Sequence, residues 1–140
     1  MPYRKATIRP FSEADESVLF SLAREVFGAV PTWDDRRTIE ALESDIVFVA
    51  EVESRPAGYV ALVEEDDRVC IEHLLVSPGH DDEEIGRQLV EYAEGYAISR
   101  RAGALRVVVE GDNRPALAFY RARGFAGTGP DLLELALPKG

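Results

Sequence analysis

The 140-residue chain has one cysteine, Cys70, and two histidines, His73 and His80. A single thiol excludes an internal disulfide framework, and a reducing, cytoplasmic setting is the expectation. Three such residues make a dedicated zinc site improbable, so no metal is expected. Long apolar runs are also missing; none approaches the roughly 18 to 20 residues a membrane helix needs. The opening MPYRKATIRPF lacks the apolar core of a signal peptide. Positive charge is scarce: 16 Lys and Arg stand against 26 Asp and Glu, a formal net charge of −10. That surface repels nucleic acid and anionic membranes at long range and tolerates a cationic partner, an amine or a basic peptide. Neither Gly-x-x-x-x-Gly-Lys-Ser/Thr nor Gly-x-Gly-x-x-Gly occurs, so the two common nucleotide loops have no support.

What is present suits one compact globular domain over residues 1–140, with 46% apolar residues and no linker or repeat. TIRPF (Thr7 to Phe11) reads as a short strand stopped by Pro10. Ser12 and Asp15 form a capping-box start, and Val18, Leu19, Leu22, Ala23 and Val26 recur at helical spacing. A second short helix covers Asp34 to Leu42. Asp45–Glu53, Ala57–Glu65 and Arg68–Pro78 then read as three strands joined by short turns, an antiparallel meander. The longest helix follows, with Ile85, Leu89, Tyr92, Ala93 and Tyr96 on one face. In ALRVVVEG (Ala104 to Gly111), three valines in a row predict a strand covered on both faces. The last helix is capped by Asp112 or Asn113, carries Pro115 in its first turn and is followed by Gly124. LLELALP (Leu132 to Pro138) closes the sheet. The order is β-α-α-β-β-β-α-β-α-β, an α/β fold with a mixed sheet flanked by helices on both faces.

That order, with LLVSP…IGRQLVEYA and then VVVEGDNRPALAFYRARGF, resembles the GCN5-related N-acetyltransferase (GNAT) family over essentially the whole chain. DNRPALAFYRARGF matches the family's Asn-x-x-Ala-x-x-x-Tyr-x-x-x-Gly-Phe spacing with Asn113, Ala116, Tyr120, Gly124 and Phe125. The resemblance implies an acyl-CoA-dependent enzyme that passes the acetyl group of acetyl-CoA to an amine by direct attack. It implies that the fourth strand splays from the fifth, so that backbone groups of Leu74, Leu75 and Val76 pair with the pantetheine arm and polarise the thioester carbonyl. Asn113 and Ala116 would contact that arm. Tyr120 would protonate the departing thiolate, phenol and thiol pKa values being close enough for the exchange. From the residues alone, Asn113 is equally an N-cap and Tyr120 a core aromatic.

The family's pyrophosphate loop reads Arg or Gln, two residues, Gly, one residue, then Gly or Ala. Aligned on Gly86, this chain has Asp81 at the basic position and Glu84 at the first glycine, with Ile85 and Arg87 flanking Gly86 as commonly seen. Glycines there let the backbone approach phosphate, and the helix N-terminus adds N–H groups and a positive dipole end. A like charge about 5 Å from phosphate costs about 3 kcal/mol at an effective dielectric near 20. The acids also suit the helix's own N-terminus, where Asp81 or Asp82 can cap. Arg87, Arg114, Arg121 and Arg123 lie in sequence near the implied cofactor and are candidates for compensation.

On the acceptor side, alternation along CIEHLLV sets Glu72 and His73 on opposite faces, with Glu72 beside Leu74 and Val76 as the expected base. The resemblance puts Val30 to Arg37 beside the acceptor, where Trp33 with Asp34 and Asp35 would suit a cationic amine. It is compatible with a homodimer. The alternative expectation is a non-catalytic domain of the same fold whose altered loop binds another ligand or a protein.

Overall fold

A computed structural model of the chain describes residues 6–27, 35–78, 82–109, 113–129 and 131–138. Strand β1 spans Thr7–Pro10, helix α1 Glu16–Phe27 and helix α2 Asp35–Ser44. Strands β2 (Ile46–Val52), β3 (Arg55–Glu65) and β4 (Arg68–Val76) follow, then α3 (Asp82–Ser99), β5 (Ala104–Val108), α4 (Arg114–Ala122), β6 (Ala126–Gly129) and β7 (Leu132–Ala136). Among the described residues the strands form one sheet in the order β1-β2-β3-β4-β5-β7-β6. The β4–β5 pair is parallel, and every other neighbouring pair is antiparallel. The expected order holds with one addition, β6. Its four residues, AGTG, are all exposed and carry no alternation that marks a strand.

One face of the sheet is covered by α3 and α4. Ile85, Leu89, Val90, Ala93 and Ala97 of α3 bury against Phe48, Val60, Leu62, Val69, Ile71 and Leu105. Their spacing of three and four residues is what turns one helical stripe to the sheet. Tyr92 sits at the rim of that stripe, 40% exposed, with its ring 4.8 Å from Phe48. The other face carries α1 and α2, whose Leu19, Leu22, Ala23, Ala41 and Leu42 pack on Val47, Val49, Tyr59, Ala61 and Leu75. Val18, expected in the α1 stripe, is 46% exposed.

The second layer stops at β4. Alternate residues Leu105, Val107 and Val109 enter the α3 side of the core, while Val108 is 69% exposed on the uncovered face. Three successive valines therefore do not mark cover on both faces here. On that bare face Arg106 instead binds Glu134 across the β5–β7 pair, and Arg68 binds the same carboxylate at 3.0 Å. Near β1, Asp15 receives two hydrogen bonds of 2.7 Å from Arg9 and one of 2.9 Å from the Ser12 N–H, completing the capping box that the sequence shows.

Candidate active site

The site is made by where β4 and β5 stop pairing. Their parallel register runs from Arg68 opposite Ala104 to Ile71 opposite Val107 and ends there. Among the described residues, the remaining stretch of β4, from Glu72 to Val76, keeps only β3 as a neighbour. Ser77 N–H donates to the Ala57 carbonyl at 2.7 Å, which makes the facing Gly58–Val76 pair of the non-hydrogen-bonded type. The N–H and C=O of Val76, and by alternation those of Leu74, thus point away from β3 and into the gap left by β5. Leu75 does the opposite. Its backbone faces β3, and its side chain is 2% exposed within the α1–α2 layer, so the expectation that it serves the open edge is corrected by the antiparallel alternation.

A groove of about 520 Å³ opens beside this edge, with Leu74, Val76, Glu83, Gly86, Phe119 and Arg123 in its lining, and Ala116 beside them. Gly86 lies close to the groove wall: a Cβ there would stand 3.3 Å from Phe119 Cζ, so that the ring would have to give by a few tenths of an ångström, and 4.0 Å from Val76 Cγ2, an ordinary contact. The missing side chain therefore eases the approach of α3 to the Phe119 ring of α4. Asn113 caps α4, its Oδ1 accepting the Ala116 N–H at 3.3 Å. Pro115 fits the first turn because its absent N–H would lack an intrahelical acceptor there. Ile85 turns its side chain into the core at 2% exposure and reaches no groove.

The acid at the first-glycine position is restrained. Glu84 accepts hydrogen bonds from Arg87, including one from Nε at 3.1 Å, and Arg87 also binds Glu91. Spacings of three and four residues put all three side chains on one flank of α3. Glu84 is therefore neutralised within its own helix, and the acid that lines the groove is Glu83. Arg87 is equally committed to these carboxylates.

Tyr120 does not line the groove itself: it is 5% exposed, with its ring 5.1 Å from that of the groove-lining Phe119 and 5.3 Å from Phe125. Burial raises its phenol pKa, so the hydroxyl keeps its proton at neutral pH, as a proton donor must.

Glu72 is not on the groove side. The β3–β4 register slips between Ala61 and Leu62, where Ala61 faces His73 and Leu62 faces Ile71, leaving Glu72 as the extra residue of a β-bulge. Strict alternation fails at that point. Glu72 and His73 consequently line one cavity of about 350 Å³ together with Arg37, Glu40, Ala41 and Asp45, on the opposite face from Leu74 and Val76. The expectation of opposite faces for this pair is overturned, and so is the shared face of Glu72 with Leu74. No sequence pattern marks a bulge that contains neither glycine nor proline.

This second cavity carries perturbed groups. Burial, with the nearby Glu72 charge, pushes the Asp45 carboxyl up to about 6. Burial, with Arg37 nearby, brings His73 down to about 4, so its imidazole is neutral at physiological pH. Its Nδ1 lies 3.5 Å from the hydroxyl of the fully buried Tyr59. No sequence signal assigns Asp45, Phe119 or Glu83 a place in a site: Glu83 is one of four successive acids, Phe119 the neighbour of Tyr120, and Asp45 an ordinary helix-to-strand residue. Trp33, Asp34, His80, Asp81 and Asp112 lie outside the described residues. Asp35, expected beside the acceptor, pairs with Arg24 at 3.5 Å.

Comparison with known proteins agrees with this geometry. The model of the acetyltransferase (GNAT) family matches residues 15–125. The streptothricin acetyltransferase of Streptomyces lavendulae is 42% identical over 66 residues, which are 47% of this chain and 35% of that protein. The streptothricin acetyltransferase of Escherichia coli is 26% identical over 108 residues, 69% of this chain and 62% of its own length. This chain thus spans about a third to three-fifths of the curated relatives it matches. The crystal structure of the PaiA N-acetyltransferase from Thermoplasma acidophilum in complex with coenzyme A superposes with a TM-score of 0.75 at 18% identity, covering 94% of this chain and 98% of that one.

Proposed function

The chain belongs to the GNAT family of acetyltransferases, and from that premise we propose that it moves the acetyl group of acetyl-CoA to an amine by direct attack. One observation carries the reading: β4 parts from β5 after Ile71, and the freed stretch has a groove on one face and a polar cavity on the other. The groove suits the cofactor. It offers the unpaired edge of Leu74 and Val76 to an amide-bearing arm, a close backbone approach at Gly86, and apolar walls at Ala116 and Phe119. Acetyl-CoA supplies an activated thioester there, and the chain supplies orientation, charge and protons.

Val76 N–H donates to the thioester carbonyl oxygen and stabilises the charge that grows on it. Glu72, exposed at the bulge, takes a proton from the incoming ammonium directly or through water. As the N–C bond forms and the C–S bond breaks, the Tyr120 hydroxyl would protonate the departing thiolate, and the second proton shed by the attached nitrogen would restore the phenol through solvent. Three carboxylates in the acceptor cavity, Glu40, Asp45 and Glu72, favour a cationic small-molecule or peptide amine. Streptothricin is the first acceptor to test, since both curated relatives are streptothricin acetyltransferases. The net charge of −10 argues against nucleic acid and anionic membranes as partners, and the single cysteine suits the cytoplasm. Among the described residues, no helix is long and apolar enough to cross a membrane.

Calorimetric titration of the pure protein with acetyl-CoA tests the reading, followed by thiol release with a panel of amines. Binding in the micromolar range and acceptor-dependent release are expected. Absence of heat and of any thermal shift at millimolar cofactor would sink it.

A further inference from the structure

We propose that the Arg123 guanidinium holds a phosphate group of the cofactor, taking over the charge that the loop before α3 lacks. This rests on the reading that acetyl-CoA is the donor. Arg123 follows the last turn of α4 and is the arginine that lines the groove beside Glu83 and Gly86. Two contacts fix it there. Nη1 donates to the Phe119 carbonyl at 2.7 Å, and Cζ stands 4.3 Å from the centroid of the Phe119 ring. The same ring abuts Gly86, so the guanidinium is tied to the wall that α3 and α4 share.

Its charge is uncommitted, whereas several other arginines are held in well-formed pairs. Arg87 is held by Glu84 and Glu91, Arg9 by Asp15, Arg100 by Glu64, and Arg106 by Glu134. Among the described residues no carboxylate pairs with Arg123, and its buried Nε has no hydrogen-bond acceptor. A guanidinium presents five N–H donors in a planar fork, of which the Phe119 carbonyl engages one nitrogen, so donor capacity remains for a tetrahedral anion. Glu83, on the same groove, sets a local negative charge that makes a cation there more necessary for binding phosphate. The cofactor has two such groups, the pyrophosphate and the 3′-phosphate, and either satisfies the chemistry.

The test compares wild type, Arg123→Gln and Arg123→Lys by calorimetry with CoA, 3′-dephospho-CoA and pantetheine. Arg123→Gln should weaken CoA about tenfold or more, and Arg123→Lys less, because a point charge replaces the fork. Loss that persists with dephospho-CoA assigns the pyrophosphate; loss that disappears assigns the 3′-phosphate. Pantetheine should bind all three proteins equally, which separates charge from damage to the groove. Equal CoA affinity in wild type and Arg123→Gln, or an equal loss with pantetheine, overturns this inference alone. A wild type that binds no CoA overturns the donor reading and this inference with it.

Discussion

Gly58→Ala is the substitution whose consequence the structure determines most sharply. Gly58 faces Val76 across the β3–β4 ladder, at the end of the freed stretch. A Cβ there would fall 2.4 Å from the Leu75 carbonyl oxygen and 3.2 Å from Val76 Cα. Since Cβ contacts under 3.0 Å are essentially never seen, the strands must part by about 0.6 Å. Both obstructing atoms are backbone, in the middle of the sheet, so no rotamer change relieves the clash. Overpacking of this kind costs roughly 1 to 3 kcal/mol, and an obstacle made of β4 backbone argues for about 3. For a domain of this size that lowers Tm by about 10 °C. The displaced atoms belong to the residues that orient the Val76 N–H, so kcat should fall about tenfold or more in protein that stays folded. The assay is thermal unfolding followed by circular dichroism, paired with steady-state kinetics well below the new Tm. Gly95→Ala is the matched control: nothing lies within 4 Å of its Cβ, and an exposed helical position should gain about 0.5 to 1 kcal/mol. A Tm for Gly58→Ala within about 1 °C of wild type, with unaltered kcat, would refute the claim that β3 fixes this edge.

Tyr120→Phe should reduce kcat by about 10² while leaving the acetyl-CoA dissociation constant within a factor of about two, as measured by single-turnover kinetics and calorimetry. Equal losses in both would mark the ring as packing only. Asp45 has a folded-state pKa near 6, above the ordinary value, because burial and Glu72 disfavour its charge. Its protonation therefore favours the fold below about pH 4, and that contribution is lost as pH rises through about 6. Asp45→Asn should be more stable than wild type in urea at pH 7.5, with the gap closing by pH 4; a pH-independent difference contradicts this. Asp15 behaves oppositely, since Arg9 hydrogen bonds hold its carboxyl near 2. About 2 kcal/mol of stability should be present above pH 4 and be lost as pH falls toward 2, and Asp15→Asn should flatten that part of the urea-midpoint profile.

Much of this was legible in the sequence because it depends on local chemistry. The α3 stripe, the Asn113 cap with Pro115 behind it, and the Ser12–Asp15 box each follow from residues within a few positions of one another. The Asn113 to Phe125 spacing located α4 and its buried tyrosine. What escaped depends on partners distant in sequence. The valines of β5 look equally apolar, yet Val108 is bare because the α1–α2 layer ends at β4. The bulge at Glu72 is a property of the β3–β4 register, and it reverses the face that alternation assigns. Strand β6 is held by its pairing with β7 and by little in its own side chains.

The acids before α3 illustrate how a local rule and a distant contact combine. Taken one at a time, Glu84 opposes an anion at the helix N-terminus by about 3 kcal/mol. Its pairing with Arg87 removes much of that opposition, because a neutralised pair presents a dipole where a bare carboxylate would present a charge. The same pairing occupies the one cation that the loop's own sequence offers. Binding of a phosphate in this groove is then limited more by the supply of positive charge than by repulsion from Glu84. That supply comes from the far end of α4, where Arg123 is aimed by Phe119, the residue that also packs on Gly86. Altering Phe119 should therefore disturb the groove's shape and its charge together, whereas altering Glu84 alone should change the charge, by releasing Arg87 from one of its two carboxylates, and leave the shape nearly intact.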